Sequence, residues 1–416
     1  MRLFPYLCLL FLATACGPDD YIITDNTVDN ELENITNPLS FSDGLYEIVS
    51  RELNIPQEIN VPLPDLPRHM SDVNLPDELT PNQQRRALLG RVLFYDTRLS
   101  ATGETSCATC HQQSSAFADN KALSDGIRGA HTVRNSPALA GVTFARPRQS
   151  EAGSVVVGPY SPPQDGETET ALLQLFWDGR ANSSIAQAVE TISNPIEMGM
   201  DPEELVAKLN QEPLYQALAQ KVHRNRELTV SNVIRDLSDF MLTLPSTNTR
   251  FDEYYDLEEA GASPATFAAN FSSAELRGAE LFVGNCTGCH GSKGRDPIVE
   301  FANNGLETDY PDAGRSAVTG DPFDDGVFKT PFIRNVALSA PYMHDGRFAT
   351  LRDVVDHYSD GVVDHPNLHD RLRNADGSVK RLNLSEEDKA ALVAFLEMSR
   401  DEVMLNAEYL SDPFIR

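Results

Sequence analysis

Four of the six cysteines in this 416-residue sequence form two Cys-x-x-Cys-His motifs, Cys107-Ala108-Thr109-Cys110-His111 and Cys286-Thr287-Gly288-Cys289-His290. Two thiols at this spacing can attach the two vinyl groups of one haem, and the adjacent histidine can bind its iron. A zinc site would have to pool cysteines that are far apart in the chain, and a redox dithiol would need a βαβ context that is missing. The motifs therefore predict two covalent haem c groups, haem 1 at His111 and haem 2 at His290.

The first fifteen residues have the features of an export signal. Arg2 precedes an apolar run, Leu3–Leu12, that is too short to span a bilayer as a helix. Small residues then lead to Cys16, as in a bacterial lipoprotein signal; an ordinary signal peptide that ends near Ala15 is the alternative. We expect residues 1–15 to be removed, Cys16 to be lipidated, and the protein to be periplasmic and anchored to a membrane only through this lipid.

Acidic residues outnumber basic ones by 62 to 34, which gives a net charge of −28 with neutral histidines. A surface of this kind repels nucleic acid and other polyanions, and it attracts a basic soluble partner. Solubility alone would also account for the charge.

Helical patterns dominate the chain and occur in two similar halves, each with a Cys-x-x-Cys-His motif. The fold class predicted is mainly α, with two cytochrome-c-like domains, one covalent haem c in each, and long irregular loops such as residues 145–168. We expect the haem domains at residues 68–255 and 270–405. Residues 16–67 are acidic and contain prolines, which predicts a tether, and residues 406–416 are predicted to be a tail.

Several further motifs are specific enough to indicate a relative. They are Leu89-Gly90-Arg91-Val92-Leu93-Phe94-Tyr95-Asp96, Arg134-Asn135-Ser136-Pro137, Phe176-Trp177-Asp178-Gly179-Arg180-Ala181, Asn194-Pro195-Ile196-Glu197-Met198, Arg334-Asn335-Val336-Ala337 and Ala340-Pro341-Tyr342-Met343-His344-Asp345-Gly346. Over residues 77–400 the chain resembles the bacterial di-haem cytochrome c peroxidases, and also their relative that matures the tryptophan-derived cofactor of methylamine dehydrogenase. The resemblance implies two helical haem domains with a calcium ion between them.

The resemblance also implies roles for individual residues. Glu197 matches the acid/base at the peroxide-binding haem, where a proton must move between the peroxide oxygens before their bond breaks. Gln187 matches a second residue of that distal pocket, and Trp177, the only tryptophan, matches a residue that carries electrons between the haems. Without the resemblance, these would be a loop acid, a helix-surface amide and a core aromatic residue. The implied calcium ligands are Asn135 and the backbone carbonyls of Ser339 and Pro341.

The chain departs from typical di-haem peroxidases at both irons. Ile127, seven residues before Arg134, replaces the histidine that closes haem 1, and the displaced His131 is the remaining candidate there. Haem 2 has Tyr358 where peroxidases have a methionine, and the cofactor-maturing relative has a tyrosine ligand at this position. Met343 is the rival iron ligand, together with His357, which the helical pattern puts off the apolar face; a merely hydrogen-bonded Tyr358 is the other alternative.

We therefore expect an enzyme that reduces hydrogen peroxide to water with electrons from a small periplasmic redox protein, either a cytochrome c or a cupredoxin. One alternative is a maturation-type di-haem enzyme that uses peroxide to oxidise a protein substrate. A second alternative is a non-enzymatic electron carrier, in which both irons would have two strong axial ligands.

Overall fold

A computed structural model describes residues 39–71, 77–141, 174–291 and 299–416. The predicted signal at 1–15, Cys16, residues 16–38 of the predicted tether and the loop at 145–168 lie outside the described residues. Within the described ranges, no helix combines the length and the apolar character needed to cross a membrane.

The described residues are mainly helical, as predicted. The α-helices are α1 (Asp43–Val49), α2 (Pro81–Tyr95), α3 (Cys107–Cys110), α4 (Ser184–Ser193), α5 (Pro202–Leu209), α6 (Pro213–Val222), α7 (Val230–Leu242), α8 (Arg250–Glu259), α9 (Pro264–Asn270), α10 (Ser273–Asn285), α11 (Thr287–His290), α12 (Ser316–Thr319), α13 (Leu351–Asp356), α14 (Glu386–Glu397) and α15 (Glu402–Leu405). Two short strands, β1 (Phe301–Ala302) and β2 (Phe328–Lys329), pair antiparallel, with Phe301 opposite Lys329.

Single helical turns connect these elements. Turns of 3-10 helix span Arg68–Met70, Thr97–Leu99, Gln113–Ser115, Ile127–Gly129, Pro322–Asp324, Val336–Leu338, Asp370–Leu372 and Glu408–Leu410, and a π-helical turn spans His357–Gly361.

The main helices begin at the capping signals in the sequence. Thr80 accepts a hydrogen bond from the Gln83 backbone at 3.3 Å at the start of α2, and Pro81 occupies the first helical position. Ser272 does the same for the Glu275 backbone at 3.2 Å at the start of α10. These side chains satisfy backbone donors that have no partner inside the helix, which fixes where each helix starts.

Two hydrophobic cores divide the described chain into a first body (residues 39–249 and 401–416) and a second body (residues 250–400). In the first body α2 crosses α7 at Gly90, where a Cβ atom would lie 1.9 Å from the Asp236 carbonyl oxygen. In the second body α10 crosses α14 at Gly278, where a Cβ atom would lie 2.1 Å from the Ala391 carbonyl oxygen. Both bodies therefore use a glycine to bring two helix backbones together, next to their respective Cys-x-x-Cys-His motifs.

The described part of the predicted tether is not a tether. Phe41, Val49, Leu53 and Ile59 are buried in the first core, and α1 packs against α6. The prediction was wrong for residues 39–67 because their apolar side chains are spaced too irregularly to show a helical or strand period, although several of them are fully buried.

The C-terminal segment, predicted as a tail, returns to the first body. Leu410 is buried in the first core, and its carbonyl oxygen accepts a hydrogen bond from the Tyr95 hydroxyl at 2.8 Å. The Arg91 Nε donates to the Ser411 carbonyl at 2.6 Å, and Leu53 forms an antiparallel bridge with Phe414. The last residues thus close the first core over α2.

Candidate active site

The first Cys-x-x-Cys-His motif forms the short helix α3, with His111 as its C-cap. The His111 Nδ1 donates to the Phe117 carbonyl oxygen at 2.8 Å, and burial lowers the pKa of the imidazole. A neutral imidazole with its proton on Nδ1 presents the Nε2 lone pair, which is the form that binds a metal.

The second motif repeats this arrangement at α11. The His290 Nδ1 donates to the Pro331 carbonyl oxygen at 3.1 Å, and burial again lowers the pKa of the ring. The cysteines of both motifs are free thiols. The thiols and the Nε2 atoms of both motifs are thus the groups that covalent haem attachment and axial ligation require.

A cavity of about 310 Å3 lies over the second motif. Its walls are largely apolar side chains, and its lining also includes Lys329, Arg334, Arg371 and Lys380. Among the described residues that line it there is no Asp or Glu, although acidic residues dominate the sequence as a whole. An apolar cavity with cations suits a flat apolar cofactor that carries two carboxylates, so this site fits a haem.

Both candidate ligands for haem 2 line this cavity. The Asn304 side-chain amide donates to the Met343 sulfur at 3.4 Å and to the Tyr358 hydroxyl at 3.5 Å. Burial raises the pKa of Tyr358 to about 12, because a phenolate is poorly solvated there. Tyr358 belongs to the π-helical turn, a local irregularity that is frequent at functional sites.

The position of the His357 side chain differs from the one predicted from the sequence. It is buried, and its Nε2 donates to the Asn304 carbonyl oxygen at 3.0 Å, so this nitrogen is engaged by the protein. The prediction that His357 lies off the apolar face was wrong because other segments cover this side of the helix, namely the Asn304 carbonyl and the Phe348 ring, whose centroid lies 5.6 Å from that of the imidazole. Helical periodicity carries no information about such contacts.

Glu197 lies in the turn after α4, close to the first motif. The Asn194 side-chain amide donates to its Oε1 at 3.1 Å. Burial raises the pKa of the Glu197 carboxyl, and the Arg180 charge opposes this shift only in part. Burial also raises the pKa of Cys107 to about 12 and of Cys110 to about 11, and the Glu197 charge adds to both shifts. The carboxylate is therefore within electrostatic range of both haem 1 thiols.

Ile127 packs against the same turn. Its backbone N–H donates to the Ile196 carbonyl oxygen at 2.9 Å, and its buried side chain fills the space beside Gly199. His131 is at the surface, with 62% of its side chain exposed and its Nδ1 3.2 Å from the Asp125 carboxylate. The position that usually carries the haem 1 histidine thus holds an apolar side chain, while His131 pairs with a surface acid.

Trp177 links the two bodies. Its indole Nε1 donates to the Asn135 carbonyl oxygen at 2.8 Å, and its own carbonyl oxygen accepts from the Lys329 backbone at 2.7 Å. Gln187 on α4 lines the same cavity as Trp177, His290 and Tyr358. The structure therefore brings these four predicted residues to one cavity, whereas Glu197 lies beside the first motif.

The residues predicted to hold calcium also line this cavity, namely Asn135, Ser339 and Pro341. The Asn135 Nδ2 donates to the Lys121 carbonyl oxygen at 2.9 Å, which orients the side chain. In the part of the chain that the structure describes, no cluster of His, Cys, Asp and Glu could hold a metal. Calcium bound by an amide and two backbone carbonyls stays a prediction.

Two functional positions were missed from the sequence. Asn194 belongs to the Asn-Pro-Ile-Glu-Met motif, three residues before Glu197. Its position in the motif could therefore have indicated a contact with Glu197. Asn304 belongs to no motif, and only the fold brings it between Met343 and Tyr358.

Comparisons with known proteins agree with this geometry. A family model described as di-haem cytochrome c peroxidase matches residues 84–260. The chain is 31% identical to cytochrome c551 peroxidase of Nitrosomonas europaea over 286 residues, which are 67% of this chain and 74% of the relative. It is 30% identical over 332 residues to the methylamine utilization protein MauG of Methylorubrum extorquens, covering 78% of this chain and 80% of the relative.

A solved structure extends the likeness to the fold. It is the crystal structure of a MauG-like protein associated with microbial copper homeostasis, with a TM-score of 0.60 and 30% sequence identity. The match covers 86% of this chain and 98% of that one. The chain belongs to the di-haem cytochrome c peroxidase family, whose members carry two covalent haems and include both cytochrome c peroxidases and MauG proteins.

Proposed function

We propose that this protein reduces hydrogen peroxide to water at the haem held by Cys107, Cys110 and His111. The electrons come from a small periplasmic redox protein and pass through the second haem site. The observation that carries the proposal is Glu197, a partly buried carboxyl of raised pKa within electrostatic range of the haem 1 thiols. Bound haem would supply an iron that coordinates peroxide, passes two electrons to it and is reduced again by the electrons that arrive from the donor.

Glu197 moves the peroxide proton. Cleavage of the O–O bond requires that the proton leave the oxygen nearer the iron and arrive on the oxygen that departs as water. A carboxyl with a raised pKa holds a proton more readily than an ordinary glutamate and can take up and return this one. The Asn194 amide, 3.1 Å from Oε1, holds the carboxyl in one orientation while it does so.

Trp177 carries electrons between the two haem sites. Its indole is bonded to the first body through Asn135, and its backbone is bonded to the second body through Lys329. Asn135, Ser339 and Pro341 bind the calcium ion that the family resemblance implies. Lipidation of Cys16 keeps the enzyme at a periplasmic membrane surface.

The variant Glu197→Gln tests the main proposal. Loss of the acid/base should lower steady-state peroxide turnover by about 10²–10⁴-fold, while the spectra of both bound haems persist. Glu203→Gln is the matched control, because Glu203 is an exposed carboxylate on the next helix. Full turnover in Glu197→Gln would overturn the catalytic role. An unmodified protein that does not turn over peroxide at all would favour the electron carrier instead.

A second candidate function is oxidation of a protein substrate, as in the maturation-type enzymes. Tyr358 in the haem 2 cavity favours it, together with Ile127 at the position of the usual haem 1 histidine. The two functions differ in the source of electrons. A peroxidase oxidises two equivalents of a one-electron donor for each peroxide. A maturation-type enzyme removes hydrogen from side chains of a second protein, which mass spectrometry of that protein detects as a loss of two hydrogens per peroxide.

A further inference from the structure

Arg134 and Asn135 are hydrogen-bonded to Trp177 and to Asp178, the residue that follows it. Asn135 accepts the Trp177 indole N–H at 2.8 Å, and the preceding Arg134 donates through Nη1 to the Asp178 Oδ2 at 2.5 Å. Asp178 is buried, and its carboxylate also accepts from the Arg180 Nη1, which lies 3.0 Å from both of its oxygens. The segment that carries the indole is thus fixed at two adjacent points.

Arg134 also extends to the second body. Its Nε and Nη2 donate to the two carboxylate oxygens of Asp312, at 2.7 and 2.8 Å. Asp312 is oriented in turn by the Gly314 backbone N–H at 2.9 Å. Only 13% of the Arg134 side chain is exposed, so both carboxylate contacts are shielded from solvent. The planar guanidinium of Arg134 therefore connects Asp178, next to Trp177, to Asp312 of the second body.

The geometry requires arginine. Three donors of one rigid fork serve two carboxylates, whereas the ammonium of a lysine is a single point on a flexible chain and cannot reproduce a bidentate contact and a second bond together. Burial lowers the pKa of Arg134, but the hydrogen bonds and charges of Asp312 and Asp178 outweigh this and raise it, so the guanidinium stays charged.

The second body supports the same segment from its other side. The Lys329 backbone donates to the Trp177 carbonyl oxygen at 2.7 Å, and the Arg315 Nη1 donates to the Asp178 carbonyl oxygen at 3.3 Å. These backbone contacts hold the main chain. These bonds do not involve the indole, which donates to the carbonyl oxygen of Asn135, the residue that follows Arg134.

We propose that Arg134 is a positioning residue that holds the indole of Trp177 at the junction of the two bodies by tying Asp178 to Asp312. The proposal rests on the proposed role of Trp177 in carrying electrons between the haems. Electron transfer through an aromatic side chain depends on its distance and orientation, so bonds to the indole and to the adjacent Asp178 keep one transfer geometry.

The test uses the haem-loaded protein and the fact that Trp177 is its only tryptophan. Its fluorescence lifetime reports its distance and orientation relative to the haems, which quench it by energy transfer. The variants are Arg134→Lys, which keeps the positive charge but loses the bidentate donor geometry, and Asp312→Asn, which weakens only the contact with the second body. Arg98→Lys is the control, because the Arg98 Nε donates to both carboxylate oxygens of Asp96, at 2.8 and 3.0 Å, in another part of the first body.

We expect Arg134→Lys and Asp312→Asn to change the single Trp177 lifetime or divide it into several, and to slow electron transfer between the haems several-fold. Arg98→Lys should alter neither quantity, even where it lowers the melting temperature. An unchanged lifetime in both test variants overturns the proposal. A changed lifetime with unchanged transfer between the haems supports the positioning of the indole and overturns the electron-carrying role of Trp177.

Discussion

The side-chain amide of Asn194 lies 3.1 Å from the Oε1 atom of Glu197 and donates a hydrogen bond to it. The same Asn194 side chain accepts the Ile196 backbone N–H at 2.9 Å, so it shapes the turn as well as orienting the acid. The orientation of the proposed proton carrier is therefore set by a residue that need not touch peroxide itself.

Asn194→Ala should lower kcat/KM for peroxide by roughly tenfold to 100-fold, because a small displacement of a catalytic group is costly. The measurement is steady-state peroxide turnover with both haems bound. Asn210→Ala is the control, since Asn210 bonds to both backbone groups of Leu228 and ties a turn away from the site. Equal losses in the two variants would mean that destabilisation, and not orientation, is responsible.

The raised pKa of Glu197 predicts that the acidic limb of the pH–activity profile lies at a higher pH than it would for an ordinary glutamate. The carboxylate form must accept the first proton, so activity should fall as pH drops through this raised pKa, above the usual range of a glutamate. The profile of kcat/KM against pH measures it. In Glu197→Gln the limb should disappear from the residual activity, and a limb that persists unchanged would assign it to another group.

The same shift has a consequence for stability. A folded-state pKa above the unfolded one means that folding is penalised as pH rises from the unfolded pKa to the folded pKa and beyond. Glu197→Gln removes the penalty, so its free energy of unfolding should exceed that of the unmodified protein at neutral pH. The two should converge at acidic pH, below the unfolded pKa. Denaturant unfolding at both pH values checks this, and a variant that is less stable at neutral pH would contradict it.

The two candidate ligands of haem 2 can be separated by substitution. If Tyr358 binds the iron, Tyr358→Phe should change the ferric spectrum of haem 2 and raise its reduction potential, because a phenolate stabilises oxidised iron. Met343→Leu should then leave both nearly unchanged, although Met343 touches the same Asn304 amide. Spectroelectrochemical titration measures both variants, and the opposite pattern would identify Met343 as the ligand.

The helix crossings predict a contrast between two glycines of α10. A Cβ at Gly278 would meet the Ala391 carbonyl oxygen at 2.1 Å, whereas a Cβ at Gly284 meets nothing within 4 Å. Gly278→Ala should lower the free energy of unfolding by about 1–3 kcal/mol through overpacking. Gly284→Ala should raise it by roughly 0.5–1 kcal/mol, because alanine loses less conformational freedom in a helix. Equal effects in denaturant titrations would show that the crossing can relax.

Much of this site was predictable because its chemistry is encoded in short stretches of sequence. The residue types and spacing of the Cys-x-x-Cys-His motifs predict haem attachment directly, whereas Trp177 and Glu197 were singled out by the resemblance of their motifs to those of the di-haem peroxidases. The capping residues Thr80 and Ser272 likewise predicted where helices begin. Each of these motifs spans only a few consecutive residues, so it can be recognised without knowledge of the rest of the fold.

Other features depend on contacts between distant residues and left no such signal. The irregular apolar residues of 39–67 gain their packing from α6, and the C-terminal segment gains its own from α2. His357 is buried because Asn304 and Phe348 pack against it, and neither contact can be read from the helical pattern. Asn304 becomes a neighbour of Tyr358 only when residues 54 positions apart meet.

The return of the C-terminal segment to α2 sets an order of assembly. A ribosome or an export channel delivers the chain from its N-terminus, so α2 emerges long before Leu410, whose carbonyl oxygen accepts the Tyr95 hydroxyl. Until residues 408–411 are released, Arg91 lacks its Ser411 and Glu408 partners and the apolar surface beneath Leu410 is uncovered. The first body can therefore begin to fold early but cannot finish before the second body has been delivered, which makes the arrival of residues 408–411 a precondition for a fully packed α2.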